Sequence, residues 1–512
     1  MAFSGLTIEF TPTSWVLIIL AVTSIAYVAS SCIAWWRLRH FDGPFSASFS
    51  YVWLTAALYG GRMYERLDEA HARHGSGPST TIRIGPNELL TSNPEVMRRT
   101  GAARSQYTRS GWYKLSTVDP YIPAMFNTLD TATHDKIKAQ TAAGYAGKDI
   151  PSLEADIDAV LAEMVDKIRT KYASGDSNEE AAKRPMLDLA TIAQYFTLDS
   201  ISQVSFGEKF GMIREGRDIY GHIDFLHEVA WVQVLVASNP YLRTIMGSNV
   251  VLSLLGPKPG DKKGAGRMWR IAKPIVAKRF RPDAKDQPDM LVQRDLLTPR
   301  NPSQHKQGSF IRHGLDQRQC ETEALFQIIA GSDTTATAIR CTMLYLMSTP
   351  RAYRALQAEI DQGIKGGRIS SPITNAEANE LPYLQGVILE NLRLYPPFTG
   401  IPFKVVPPGG ETIEGKHVPA GTLIAPNMWS LGRNKDVFGP DADVFRPERW
   451  LDKSVSPEER AEMRRVVELV FGYGRWGCAG KMIAFLELNK VFVEHDMWVA
   501  VSLREEPQSE KY

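Results

Sequence analysis

The chain has 512 residues, of which 44% are hydrophobic and 23% charged; this is ample for a large buried core and excludes a disordered or fibrous protein. The formal net charge is only +2 and no basic tract contains interleaved aromatic residues, so the sequence does not predict nucleic-acid binding. Four cysteines in so long a chain argue against a disulfide scaffold, and none of them forms a CxxC pair or has zinc-ligand spacing.

An uncharged, mostly apolar segment, Trp15 to Trp36, is long enough for a helix to cross a hydrocarbon layer about 30 Å thick. Arg37 and Arg39 follow it, whereas the tail before it carries only Glu9, so the positive-inside tendency places the tail in the lumen and the body in the cytosol. The alternative, a cleaved signal peptide, is disfavoured because no basic n-region is present. We therefore expect four parts: a lumenal tail (1–14), a transmembrane anchor (15–36), a linker (37–50) and one folded domain (51–512).

The folded domain has mainly helical periodicity with a minor sheet. Residues 80–84 and 88–91 predict strands joined by a Gly-Pro turn, and apolar residues at three- and four-residue spacing predict helices through most of 152–278. Three later helices and two strand regions are also predicted, at 317–347, 383–395 and 481–490, and at 404–427 and 491–503.

The segment 471–480, Phe-Gly-Tyr-Gly-Arg-Trp-Gly-Cys-Ala-Gly, is the most informative part of the sequence. Its glycines permit tight backbone turns, and Cys478 precedes a predicted helix whose N-terminal dipole favours a thiolate. One alternative is an ordinary buried cysteine. Another is a dinucleotide-binding loop, because Gly472, Gly474 and Gly477 match GxGxxG. The short remainder of the chain leaves no space for a Rossmann half, which favours the thiolate loop.

This segment resembles the haem-binding signature of the cytochrome P-450 family, Phe-x-x-Gly-x-Arg-x-Cys-x-Gly. Trp476 stands where the family has an arginine that binds a haem propionate, and our hypothesis is that Arg475 substitutes for it. The tryptophan form is similar to certain fungal members, notably the pisatin demethylase group. The matching positions are Phe471, Gly474, Cys478 and Gly480.

Two further motifs occur in the order found in that family. Residues 330–335, Ala-Gly-Ser-Asp-Thr-Thr, resemble its oxygen-binding groove, where Asp333 and Thr334 would relay protons and Gly331 would let the backbone approach haem; the alternative is a weak point in a core helix. Glu390, Arg393 and Arg449 resemble the residues that form its structural ion network. The family's propionate-binding helix aligns with His134 and Lys138. The same resemblance places Phe326, Ile329, Ala330, Thr399 and Ile401 on the substrate pocket wall.

The resemblance implies a mainly α fold with a minor sheet (α+β) and a haem b (iron protoporphyrin IX) whose axial ligand is Cys478. It also implies a monooxygenase that uses O2 and an apolar small molecule, for a fungal protein a secondary metabolite. Electrons would come from NADPH through a membrane-bound NADPH–cytochrome P-450 reductase at the endoplasmic reticulum membrane. A basic docking face, or alternatively a solvated cluster, is expected from Arg464, Arg465, Arg475 and Lys481.

Two other functions stay open at this point. A haem-thiolate isomerase or dehydratase would need no O2, although the Asp333–Thr334 pair argues against it. A non-catalytic haem-binding membrane protein is the other, because the segment after Cys478 is shorter than is usual in the family.

Overall fold

The computed structural model describes residues 11–59, 61–75, 81–117, 119, 121–148, 150–172, 186–258, 260–282, 289–291 and 310–493. Within these residues the chain is mostly helical with two small sheets, which confirms the predicted fold class. The first helix, α1 (Pro12–Leu38), is capped by the Thr11 side chain and is largely exposed. Its length and composition are sufficient for a membrane span.

Eleven more helices follow in the N-terminal half of the described chain. They are α2 (Val52–Leu58), α3 (Met63–His74), α4 (Pro94–Gly101), α5 (Thr131–Tyr145), α6 (Leu153–Lys171), α7 (Leu189–Phe206), α8 (Met212–Glu215), α9 (His222–Ser238), α10 (Pro240–Met246), α11 (Asn249–Leu255) and α12 (Gly264–Arg279).

Helix α13 (Gln317–Ser348) is the longest element and crosses the core against α7. It begins at a capping box formed by Asp316 and Gln319, and it ends just before Pro350, which starts the next helix. The remaining helices are α14 (Pro350–Lys365), α15 (Asn375–Asn379), α16 (Pro382–Leu394), α17 (Met428–Gly432), α18 (Lys435–Phe438), α19 (Pro457–Val467) and α20 (Lys481–Val491).

The larger sheet joins the N-terminal part of the domain to a distant segment of the chain. Its strand order is β1–β2–β7–β4–β3, with β2 and β7 parallel and the other pairs antiparallel. Arg109 in β3 lies directly opposite Lys404 in β4. The strands are β1 (Thr81–Arg83), β2 (Glu88–Thr91), β3 (Thr108–Arg109), β4 (Lys404–Val405) and β7 (Leu423–Pro426), and a separate hairpin holds β5 (Glu411–Ile413) and β6 (Lys416–Val418).

The predicted hairpin at residues 80–91 and the three late helices are present, each within one or two residues of its expected bounds. Thr80 lies outside the described residues. The predicted strand at 491–503 is wrong where it can be compared, because Val491 ends α20 and a turn follows. The rest of that segment, from residue 494, lies outside the described residues.

A buried ion network around Glu390 fixes α16 to the segment that leads to the cysteine loop. The Arg393 guanidinium donates to both Glu390 oxygens, at 2.9 and 2.7 Å, and Arg449 Nε lies 3.4 Å from the same carboxylate. The Trp450 indole N–H and the Arg446 backbone N–H also donate to it, at 3.1 and 2.9 Å. Because Glu390 and Arg393 have no exposed side-chain surface, removing either partner would leave an uncompensated charge in the interior.

We expect Arg393→Met to lower the free energy of unfolding by about 3–5 kcal/mol, because Glu390 would stay buried without its bidentate partner. Denaturant unfolding of the purified protein measures the change. The matched control is Arg465→Gln, which breaks the exposed pair with Glu462 and should cost under about 1 kcal/mol. Equal losses in the two variants would contradict a special role for the buried network.

Candidate active site

The cysteine loop is held in place by close backbone contacts. The Cys478 N–H donates to the Phe471 carbonyl at 2.6 Å, which closes the loop. Gly474 has a φ of 54°, and a Cβ there would meet the Gly101 carbonyl at the end of α4 at 2.5 Å. Any side chain at 474 would therefore push the loop away from α4.

Cys478 retains accessible surface, although many protein atoms surround its sulfur. Burial raises the pKa of the Cys478 thiol, whereas the backbone N–H groups of Gly480 and Lys481 and the charge of Lys138 act in the opposite direction. The two amides belong to the start of α20, so the helix terminus faces the sulfur as the sequence predicts. A metal cation at the sulfur would favour the thiolate further.

A buried group of cations surrounds Trp476, the residue that replaces the signature arginine. Arg109 Cζ lies 4.6 Å and Lys404 Nζ 4.0 Å from the centroid of the indole ring. Lys404 Nζ, Arg109 Nε and Trp476 Nε1 have no hydrogen-bond partner among the described residues. Burial and the charges of Arg109 and Lys138 lower the pKa of Lys404 well below its ordinary value. We call Arg109, Lys138 and Lys404 the cation cluster.

The cation cluster is unfavourable as it stands. Like charges directly opposite each other on paired strands repel, and burial lowers the pKa of Arg109 to about 10. Cation–π contacts with Trp476 and Tyr113 offset part of this cost. An anionic ligand with acceptor oxygens would satisfy the free N–H groups and neutralise the charge.

Of the two residues aligned with the family's propionate-binding helix, Lys138 belongs to this cluster and His134 lies beside it, and both are in α5. Lys138 Nζ donates to the backbone carbonyls of Gly474, Arg475 and Gly477 at 3.2, 2.6 and 3.2 Å, and so braces the cysteine loop. The His134 ring lies 4.4 Å from that of Trp476. Burial, followed by the nearby Arg109, lowers the pKa of His134 to about 4, so its imidazole is neutral at pH 7.

Arg475, the expected substitute for the signature arginine, is already paired. Its Nε lies 3.1 Å from Asp135 Oδ2, and its Nη1 donates to the Ser105 carbonyl at 3.1 Å. The unpaired positive charge lies instead on Arg109 and Lys404. Sequence inspection missed both residues, although a lysine within the apolar run 401–406 was an available signal.

The motif at residues 330–335 lies midway along α13. The Thr334 hydroxyl donates to the Ala330 carbonyl at 2.8 Å, and Asp333 pairs with Arg340 at 3.2 Å with about half of its side chain exposed. Gly331 serves helix packing, because a Cβ at that position would lie 3.1 Å from the Ile201 side chain of α7. The expected approach of the Gly331 backbone to haem stays a prediction.

The predicted pocket residues divide into two groups. Phe326, Ile329, Ala330 and Thr399 are partly exposed, whereas Ile401 has no exposed surface and belongs to a core cluster with Leu54 and Phe403. The placement of these five residues on the substrate pocket wall stays a prediction, and Ile401 is the most deeply buried of them.

A continuous series of ring contacts, which the sequence did not reveal, starts at Phe326 one turn before Ala330. Phe326 stacks on Phe126 with centroids 5.0 Å apart, and Phe126 lies 5.1 Å from Tyr113. Trp112 then contacts Tyr113 and Phe398, at 5.3 and 6.2 Å. These five rings, the aromatic arc, connect α13 to the loop that follows α16.

The basic residues around the cysteine loop are largely compensated by acids of the same chain. Arg464 and Lys481 both contact Glu468, at 3.1 and 3.0 Å, and Arg465 contacts Glu462 at 2.8 Å. With the Arg475–Asp135 pair, all four predicted docking cations have an acidic partner. This arrangement matches the solvated cluster rather than a strongly basic face.

The donor set around Cys478 fits an iron porphyrin. Within the described ranges no group of three His, Cys, Asp or Glu side chains could hold a metal ion, so a lone thiol suits a metal that brings its other ligands in a macrocycle. The two carboxylates of such a macrocycle match the chemistry of the cation cluster.

Comparisons with known proteins agree with this arrangement. The family model for Cytochrome P-450 matches residues 44–495. A cytochrome P-450 monooxygenase ABA1 from Pyricularia oryzae is 44% identical over 483 residues, covering 94% of this chain and 90% of the relative. The aba1 monooxygenase of Botryotinia fuckeliana is 42% identical, covering 89% and 85%. The abl1 monooxygenase of Leptosphaeria maculans is 37% identical, covering 95% and 82%.

Because the family model spans most of the chain and these fungal monooxygenases align over nearly all of it, the chain belongs to the cytochrome P-450 family, oxidoreductases whose haem iron is held by a cysteine thiolate.

Proposed function

We propose that this protein inserts one oxygen atom of O2 into an apolar small molecule, a fungal secondary metabolite. The second oxygen atom leaves as water, and two electrons and two protons are consumed for each turnover. The observation that carries the proposal is the Cys478 thiol, flanked by the amides of Gly480 and Lys481, next to a buried cation cluster that has free N–H groups.

In this proposal Cys478 would hold the haem iron through its thiolate, and the cation cluster with Trp476 would hold the haem carboxylates. When bound, a thiolate-ligated haem supplies the activation of dioxygen. In the family the signature arginine binds a haem propionate. Here we propose that Arg109 and Lys404 bind it, because their side chains carry the unpaired charge. Lys138 keeps the loop that bears Cys478 in place through its three carbonyl contacts.

Asp333 and Thr334 of α13 are proposed to move protons on the side of the proposed haem site opposite Cys478. The Thr334 hydroxyl can hold a proton toward the reacting oxygen or return it to the Ala330 carbonyl, its present acceptor at 2.8 Å. Asp333 must leave Arg340 to accept protons from solvent, and its exposed position permits this rotation. The arginine therefore acts as the alternative partner of the relay carboxylate.

Electrons are proposed to come from NADPH through a cytochrome P-450 reductase. An apolar cleft of about 400 Å³ between α5 and α20 borders Ala479, next to the thiol, and Lys138 and Lys481 are among its lining residues. A partner that approached this cleft would reach the thiolate side over a short distance. Since the surrounding cations have acidic partners, shape and apolar contact contribute more here than net charge.

We propose that the protein is a single-span resident of the endoplasmic reticulum membrane, with its domain in the cytosol. The C-terminal part of α1 contacts the segment that follows it, because the Ser31 hydroxyl donates to the Phe49 carbonyl at 2.9 Å. Nearby, Tyr51 contacts Tyr241 of α10 with ring centroids 5.8 Å apart. An exposed apolar surface continues from there along α10 and α11, at Leu242, Ile245, Val250, Leu254 and Leu255.

We expect the reduced protein with carbon monoxide to show the thiolate-type absorption band, and Cys478→Ala to lose it. The control Cys341→Ala removes a thiol of α13 and should keep the band. A thiolate-type spectrum that survives in Cys478→Ala, or wild-type protein that binds no haem, would overturn the proposal.

Replacing Lys404 by methionine should weaken haem retention at least about tenfold, because a buried partner of the haem carboxylates is lost. Haem-to-protein ratios during transfer to apomyoglobin measure this. The control is Lys416→Met, which removes a strand lysine that lies over the Phe41 ring outside the cluster. Equal retention in both variants would argue against the cation cluster as the carboxylate site.

Thr334→Ala should uncouple oxygen use from product formation, so that the peroxide released per NADPH rises severalfold while NADPH consumption continues. The assay uses the reductase and an apolar compound that shifts the absorption spectrum. Thr342→Ala is the matched control, because its hydroxyl makes the same 2.8 Å bond to Ala338 two turns further along α13. Unchanged coupling in Thr334→Ala would contradict the relay.

A further inference from the structure

Glu323 is a buried acid of α13 that accepts a hydrogen bond from a loop backbone and is also influenced by the charge of Arg109. It is only 2% exposed, and its Oε1 accepts the Met125 backbone N–H, while its Oε2 has no hydrogen-bond partner among the described residues. Burial raises the pKa of Glu323 to about 7. Burying a carboxyl group costs free energy, so packing alone does not explain an acid at this position.

The same loop residue is held from its other side by the cation cluster. Arg109 Nη1 donates to the Met125 carbonyl at 2.6 Å and to the Thr128 carbonyl at 3.3 Å. Met125 thus has its N–H bound by a carboxylate and its C=O bound by a guanidinium. These two contacts fix the backbone immediately before Phe126.

The ring of Phe126 is then held by α13 as well. Glu323 and Phe326 are three residues apart and share one side of the helix. The first binds the Met125 backbone and the second stacks on Phe126 at 5.0 Å with an interplanar angle of 18°. Helix α13 therefore contacts two consecutive loop residues, Met125 by a hydrogen bond and Phe126 by ring stacking.

We propose that Glu323 is a positioning residue that sets the substrate-facing position of Phe126 in the aromatic arc, and so selects flat, unsaturated apolar ligands over small or strongly curved ones. The inference rests on the proposed haem site, because the arc selects ligands only if it borders the haem. Without the Glu323 acceptor, the Met125 N–H loses its buried partner and the segment 125–126 is free to shift. Phe126 would then no longer present a fixed face for stacking.

Two iron-binding probes of different reach test this role in the haem-loaded protein. The Kd of imidazole depends on access to the iron alone, whereas 4-phenylimidazole adds a ring that must also fit against the aromatic arc. We expect Glu323→Leu to raise the ratio of the 4-phenylimidazole Kd to the imidazole Kd about tenfold, as measured by optical titration. Glu323→Gln keeps an acceptor oxygen and should change this ratio less than about threefold.

The matched control is Glu321→Leu, which removes a neighbouring buried acid of α13 that contacts Gln317 at 2.9 Å. Its Kd ratio should equal that of the wild type. In a Phe126→Leu background, Glu323→Leu should have little further effect, because the positioned ring is already gone. This double variant separates positioning from a general loss of stability.

An unchanged Kd ratio in Glu323→Leu, with imidazole binding intact, would overturn the role of Glu323 alone. Absence of any spectral response to imidazole in the wild type would overturn the haem proposal and this inference with it. Since both probes are titrated in the same preparation, partial haem loss cancels from the ratio.

Discussion

Two buried cations packed against one indole ring, with a third that braces the cysteine loop, form the constraint on which the rest of the site depends. Arg109 and Lys404 are opposite each other on paired strands, and the pKa of Lys404 falls well below its ordinary value because of burial and its neighbours' charges. Folding brings these charges together at a cost, and a ligand with carboxylates would offset it. The cluster also unites three parts of the chain, since Lys138 extends from α5 to the cysteine loop.

The replacement of the signature arginine by Trp476 has a physical explanation in this geometry. An arginine at 476 would add a further positive charge between Arg109 and Lys404, whereas an indole offers a π face to both cations and one N–H to an acceptor. In the proposed site the charge needed for the haem carboxylates is thus kept, but it lies on the paired strands β3 and β4 instead of the loop. In that proposal, residues distant in sequence compensate for the departure from the signature.

Much of the fold and part of the site could be predicted from local sequence. The cysteine loop, the long helix with Thr334, and the Glu390 and Arg393 pair lie within short segments whose residue types restrict the backbone or share a helix face. Predictions were wrong or incomplete where the deciding contact joins distant segments. The β3–β4 pairing creates the cation cluster, and the packing of Gly331 against Ile201 of α7 likewise joins residues far apart in sequence. Neither follows from periodicity or propensity.

The loop between β3 and α5 connects the two ends of the proposed chemistry. Arg109 contacts the Trp476 ring on the haem-carboxylate side and holds Met125, which is also held by Glu323 of α13. Anything that neutralises Arg109 therefore acts on a residue that positions the aromatic arc. In the proposed site, the haem carboxylates and the substrate wall share this one guanidinium, because Arg109 cannot reorient toward a new anion without changing its hydrogen bonds to the Met125 and Thr128 carbonyls.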